Sequence, residues 1–154
     1  MGKLRRRATR VAVILPFEEE FFRARGVEAE FVGHPLFEEL AAHPPDPAEV
    51  NRLRAVGQPL VALLPGSRRH VVSEILPGQL EVAAGIRVRF PQAGFALSVA
   101  SASVAATVRD VLARGPSGLR LSGVEGSPGA VISAADLVLV ASGTTTLEVA
   151  YHRK

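Results

Sequence analysis

The 154-residue chain predicts an α/β fold with a mostly parallel, Rossmann-like sheet and flanking helices, and three observations carry that expectation. From Leu60 onward, short apolar runs alternate with helical segments over short connections, the order that winds a parallel sheet. The run Leu60–Leu64 has no apolar/polar alternation, as expected of a strand covered on both faces. Finally, 14 Gly, 11 Pro and only 5% aromatic residues describe a turn-punctuated chain packed with Val, Leu and Ala.

Along the chain, residues 10–15 read as a short buried strand stopped by Pro16, and 18–25 as one or two helical turns ending at Gly26. A second strand is expected at 29–32. Residues 36–42 place Leu36, Phe37 and Leu40 on one helical face. Pro44, Pro45 and Pro47 then break any helix or ladder, which sets the expected boundary between segments 1–42 and 43–154. Beyond it, 47–56 reads as a helix with Asp46 as N-cap and Pro47 in the first turn. Leu60–Leu64 follows as a strand. A helix over 71–89 should be kinked, or start late, because of Pro77 and Gly78. The remaining expectations are a strand at 95–100, a helix at 103–113, a brief strand at 119–121 and a helix from Ser127-Pro128 to Ala134. A fully apolar strand at 137–141 then opens into a last helix, inside which the chain ends.

Composition excludes several classes of function. Eighteen Lys and Arg against 15 Asp and Glu give a net charge of +3, far from the dense basic stripe of a nucleic-acid binder. With no Cys there is no disulfide framework and no Cys-ligated metal site. No segment approaches the roughly 20 apolar residues of a membrane-spanning helix. The apolar stretch 11–15 is too short for a signal-peptide core, and Arg6 stands where a myristoylation motif needs Ser or Thr.

Ligands of such sheets sit beyond the carboxyl ends of the strands, and two strand ends here carry Gly-containing polar turns. In the first, Gly66 permits close backbone approach, Ser67 offers a hydroxyl, and Arg68 offers a planar fork for phosphate oxygens. A plain strand-to-helix turn with a solvated Arg would read the same. Its spacing matches neither Walker A nor the dinucleotide GxGxxG pattern. In the second, Ser142, Gly143, Thr144 and Thr145 place amide N–H groups and hydroxyls at a helix start that favours anions, while Glu148 suits the two hydroxyls of a ribose. The bland reading there is a capped helix with a solvated Glu. Together the two turns suggest a sugar-nucleotide site.

Other residues are read plainly. His34 is a loop or packing histidine with no carboxylate partner nearby in sequence, and His43, His70 and His152 lack metal-ligand spacing. Asp136 is a turn or cap residue. The basic cluster from Lys3 to Arg10 is a solvated face that would also suit anionic lipid headgroups.

The segments ILPFE at 14–18, FVGHPL at 31–36, LLPGSR at 63–68 and AADLVLVASGT at 134–144, continuing through Leu147-Glu148, fall in one order along the chain. On these segments the chain resembles the lipid-A-disaccharide synthases, a family of bacterial glycosyltransferases with the two-lobed GT-B fold. The resemblance implies an incomplete GT-B fold, with 1–42 closing an N-terminal lobe and leading to the next, and 43–154 forming an incomplete UDP-sugar-binding lobe. It implies transfer of 2,3-diacylglucosamine from its UDP conjugate to 2,3-diacylglucosamine 1-phosphate, releasing UDP, by a peripheral protein at the cytoplasmic face of the inner membrane. It implies no metal, no cofactor and no nucleic-acid partner. Gly66, Ser67, Arg68, Ser142, Gly143, Thr144, Thr145 and Glu148 would hold the UDP, with Arg68 and the turn at 142–145 countering charge on the leaving diphosphate.

Three departures from the family pattern stand out. The early elements carrying the family's proposed general base are absent, so no catalytic base is assigned. Val71 replaces a Glu often found three residues after the Arg. The chain stops at Tyr151-His152-Arg153-Lys154, as a fragment would, with apolar surface left to be covered. Two alternatives remain at this point: another GT-B or epimerase-like UDP-sugar enzyme, or a non-catalytic binding module.

Overall fold

A computed structural model describes residues 2–154. The chain divides into two compact units, Met1–His43 and Pro44–Lys154. In the first, α1 (Gly2–Arg7) carries the exposed basic cluster, and β1 (Val11–Val13) pairs in parallel with β2 (Ala29–Phe31). α2 (Pro16–Arg23) joins them, and α3 (Pro35–Ala42) follows. α2 starts at Pro16 because proline suits the first turn and Glu18 accepts from the Leu15 amide at 3.1 Å. The first strand is shorter than its apolar run. The strand expected at 10–15 forms over Val11–Val13 and buries only Val13.

The second unit is built around β3 (Leu60–Leu64), all five residues of which are buried. It pairs in parallel with β4 (Gly94–Val99) on one side and β6 (Leu137–Val140) on the other, and β4 pairs in parallel with β5 (Leu121–Glu125). The order is β5-β4-β3-β6. Alternate residues of β3 enter opposite cores, as a strand's two-residue period requires. Leu60, Ala62 and Leu64 pack with α4 (Pro47–Arg54) and α7 (Pro128–Ala134), whereas Val61 and Leu63 pack with α5 (Arg69–Arg89) and α6 (Ala102–Leu112). This two-sided burial is why the run carries no polar residue. Asp46 caps α4 as expected, accepting from the Ala48 amide at 2.9 Å.

The two loops flanking β3 and β4 approach so closely that side chains are excluded. A Cβ on Gly57 would lie 2.4 Å from the Gly94 backbone N, and one on Gly94 would lie 2.6 Å from that of Gly57.

Several expectations are corrected. α5 starts at Arg69 and runs through Pro77 as one helix of 21 residues. Pro77 lies on the exposed side, where water can satisfy the carbonyl left without a donor, while Val72, Leu76, Leu80 and Ala83 hold the opposite side in the core. The strand expected at 119–121 forms at Leu121–Glu125 instead. As an outer strand it buries only Val124, so Ser122 and Gly123 are tolerated and hide it from an apolar-run reading. β6 is the other outer strand among the described residues, and its apolar side chains are partly exposed, Leu137 by 50%. The last helix, α8, spans Thr145–Tyr151 and ends before the chain does, with His152 at its cap.

Asp136 does more than turn the chain. Its amide donates to the Leu60 carbonyl and its carboxylate accepts from the Leu60 amide, both at 2.8 Å, which fixes where β6 starts against β3. Asp136→Ala is expected to lower stability by about 1–3 kcal/mol, the range for a hydrogen bond to a charged group, measured by urea unfolding. An unchanged midpoint would contradict this role.

Candidate functional site

Because β3, β4 and β5 succeed one another in one direction through α5 and α6, while α7 crosses the opposite face to deliver β6 beside β3, the winding reverses between β3 and β6. Loops leaving adjacent strands at such a reversal diverge to opposite faces and open a crevice at the carboxyl ends. Both Gly-containing turns leave there. The Ala141 amide donates to the Leu64 carbonyl at 2.9 Å, and a Cβ on Gly66 would lie 3.9 Å from that of Ala141 and 3.0 Å from Val71 Cγ1. Gly66 has φ +111°, a conformation that disfavours a side chain, so the turn needs glycine both for its backbone and for its space.

A cavity of about 230 Å³ occupies this crevice. Gly66 and Ser67 from the first turn and Thr145 from the second form part of its wall, beside Ser98 from β4 and Gly126 and Pro128 from the turn after β5. No ionisable side chain lines it. Of the residues singled out from sequence, Arg68, Ser142, Gly143, Thr144 and Glu148 lie outside the wall. Arg68 is exposed at the N-cap position of α5, next in sequence to the wall residue Ser67, and its guanidinium has no hydrogen bond or ion pair among the described residues.

Two features of the second turn differ from expectation. The Thr146 and Leu147 amides already donate to the Gly143 and Thr144 carbonyls, both at 3.0 Å, and the Thr146 hydroxyl also bonds Gly143. Two tight turns thus consume part of the donor set, and α8 is only seven residues long. Glu148, expected as a solvated or ribose-facing carboxylate, is 8% exposed. Its Oε1 would lie 3.4 Å from a Cβ on Gly129, the residue after the wall residue Pro128.

Sequence reasoning missed Ser98, Gly126 and Pro128. Ser98 had a signal, as a hydroxyl inside an otherwise apolar run near a strand's carboxyl end. Gln79 was also missed. Buried in α5, it donates through Nε2 to the Leu139 carbonyl at 2.9 Å and to that of Leu64 at 3.4 Å, tying together the strands that bear the two turns. His34 caps α3, its Nδ1 accepting from the Leu36 amide at 3.2 Å. Among the described residues no group of three or more His, Asp or Glu is placed to hold a metal ion, and no helix is long and apolar enough to cross a membrane.

Fold and crevice together define an α/β protein of the doubly wound class, with a cavity at its switch point. The chain belongs to the lipid-A-disaccharide synthetase family, whose model matches residues 1–154. It is similar to the lipid-A-disaccharide synthase of Anaeromyxobacter sp. (strain K), at 40% identity over 150 residues covering 95% of this chain and 38% of that protein. Similarity extends to the synthases of Neisseria gonorrhoeae, 36% identical over 156 residues with 100% and 40% covered, and Bordetella avium, 34% over 162 residues with 99% and 41% covered. The chain thus spans about two fifths of the length of these curated relatives.

His152, behind the cavity, bonds Ser133 Oγ through Nδ1 at 3.1 Å, while its Nε2 is buried without a partner among the described residues. Burial first, and the Lys154 charge second, push its pKa below the ordinary 6.5. The unfolded chain therefore takes up a proton at higher pH than the folded one, so stability rises with pH across the interval between the two values. Below 6.5 the unfolding free energy should fall, and His152→Gln should flatten that dependence. Denaturant titrations from pH 5 to 8 check this; equal slopes in both proteins would contradict it.

Proposed function

We propose that residues 43–154 carry most of the donor-nucleotide site of a hexosyltransferase. In this reading, 2,3-diacylglucosamine passes from its UDP conjugate to 2,3-diacylglucosamine 1-phosphate. The observation that carries it is the meeting of the two Gly-containing turns at the switch-point crevice, in a chain whose relatives are named lipid-A-disaccharide synthase. The bond from the donor sugar's anomeric carbon to the diphosphate breaks, and a bond to an acceptor hydroxyl forms. UDP departs with the extra negative charge, and the acceptor's proton must go to a base.

In this reading Gly66, Ser67, Gly143, Thr144 and Thr145 bring backbone amides and hydroxyls to the diphosphate, and Ser142 begins the turn that carries the last three. Arg68 supplies the compensating charge as the leaving group forms, where a fixed cation lowers the barrier without reorganisation. Glu148, close to Gly129 in the turn that also supplies Gly126 and Pro128, accepts from the ribose hydroxyls. Residues 1–42 belong to the end of the N-terminal lobe and the interlobe connection. Action at the cytoplasmic face of the inner membrane, as a peripheral protein, belongs to the same reading. The exposed Arg5, Arg6 and Arg7 of α1 suit anionic headgroups there.

Calorimetric titration of the 154-residue chain with UDP tests the site. Wild type should bind, and Arg68→Ala should bind about 10- to 100-fold more weakly, the loss of one charge-assisted hydrogen bond. Glu148→Ala should also weaken binding. No heat from folded wild type, or equal affinities in all three proteins, would refute the assignment.

A further inference from the structure

Of the buried positions in the four strands of the larger sheet, Ser98 alone carries a polar side chain. It belongs to the face of β4 that packs Ala96 against α7, an otherwise apolar setting. Ser98 is 6% exposed, and its Oγ makes no hydrogen bond among the described residues. Yet the hydroxyl is not sealed off. It is not among the fully enclosed polar atoms without a partner, and the residue forms part of the cavity wall with Ser67 and Thr145. A buried hydroxyl with an unclaimed proton, on a residue that lines a cavity, is expected to meet a hydrogen-bond partner there.

The chemistry of the wall indicates the partner. Three hydroxyl-bearing residues and two glycines line the cavity beside Leu64, Ala100 and Pro128, with no carboxylate among them, and the Arg68 guanidinium, without a partner among the described residues, belongs to the adjoining turn. An anionic oxygen would meet donors and no negative charge. We propose that Ser98 is a further ligand-binding residue of this crevice, donating its hydroxyl to a phosphoryl oxygen of a bound nucleoside diphosphate. This rests on the donor-site reading and extends it from the two turns to the end of β4, making the diphosphate site three-sided.

The test is UDP titration of wild type, Ser98→Ala and Ser98→Thr in the 154-residue chain, with a thermal midpoint measured for each. Ser98→Ala should weaken UDP binding roughly tenfold, the effect of one hydrogen bond to a charged group. Its midpoint should stay level or rise, because the variant removes a buried hydroxyl that the protein itself does not satisfy. Ser98→Thr, which keeps the donor, should recover most of the affinity. Wild-type affinity in Ser98→Ala would overturn the proposal while leaving the donor site standing. So would a loss of affinity that accompanies a lowered midpoint, since that marks a structural serine. Absence of UDP binding in folded wild type would remove the donor site and this residue's role with it.

Discussion

The structure depends on the parallel pairing of β3 with β6. Were β6 to pair anywhere else, α7 would not cross the sheet, the winding would not reverse and the two Gly-containing turns would not meet. The pairing is held at both ends by polar contacts rather than by burial alone. Asp136 and Leu60 exchange two hydrogen bonds at one end, and the Ala141 amide meets the Leu64 carbonyl at the other. Gln79 adds a side-chain bridge to the carbonyls of Leu64 and Leu139. Such contacts matter here because β6, partly exposed, gains less from the hydrophobic effect than β3 does.

From that pairing the site follows by geometry. The strands on either side of the reversal send their chains to opposite faces, so the space above their ends is left open and receives loop backbone instead of side chains. Gly66 then lets one turn come close to the other. The cavity wall combines three hydroxyl-bearing residues and two glycines with Leu64, Ala100 and Pro128, while the exposed Arg68 and the buried Glu148 stand outside it. That division suits a ligand with an anionic centre and a polar ring on one side.

What the sequence revealed, and what it hid, has a common physical basis. Leu60–Leu64 was legible because burial on both faces leaves no room for polar residues, and Pro16, Pro47 and Asp46 marked helix starts through local rules that need no partner. β5 was misplaced because an outer strand can carry Ser122 and Gly123. The continuity of α5 through Pro77 depended on which side of the helix that proline falls, a tertiary fact. At the site, Gly66, Ser67 and Thr145 were visible as polar residues at strand ends. Gly126 was not, and the lone hydroxyl of Ser98 in an apolar run took its place in the wall only through the sheet order that sets β4 alongside β3. The resemblance to a glycosyltransferase family was carried by local motifs and agrees with the family match over residues 1–154.

The most direct measurement is a backbone amide chemical-shift map of the chain during UDP addition. If the switch-point crevice is the nucleotide site, shifts concentrate at residues 64–68, 98–100, 126–129 and 141–146, and spread little beyond them. A map centred elsewhere, on α6 or in residues 2–43, with those four segments unmoved, would contradict the account at its root.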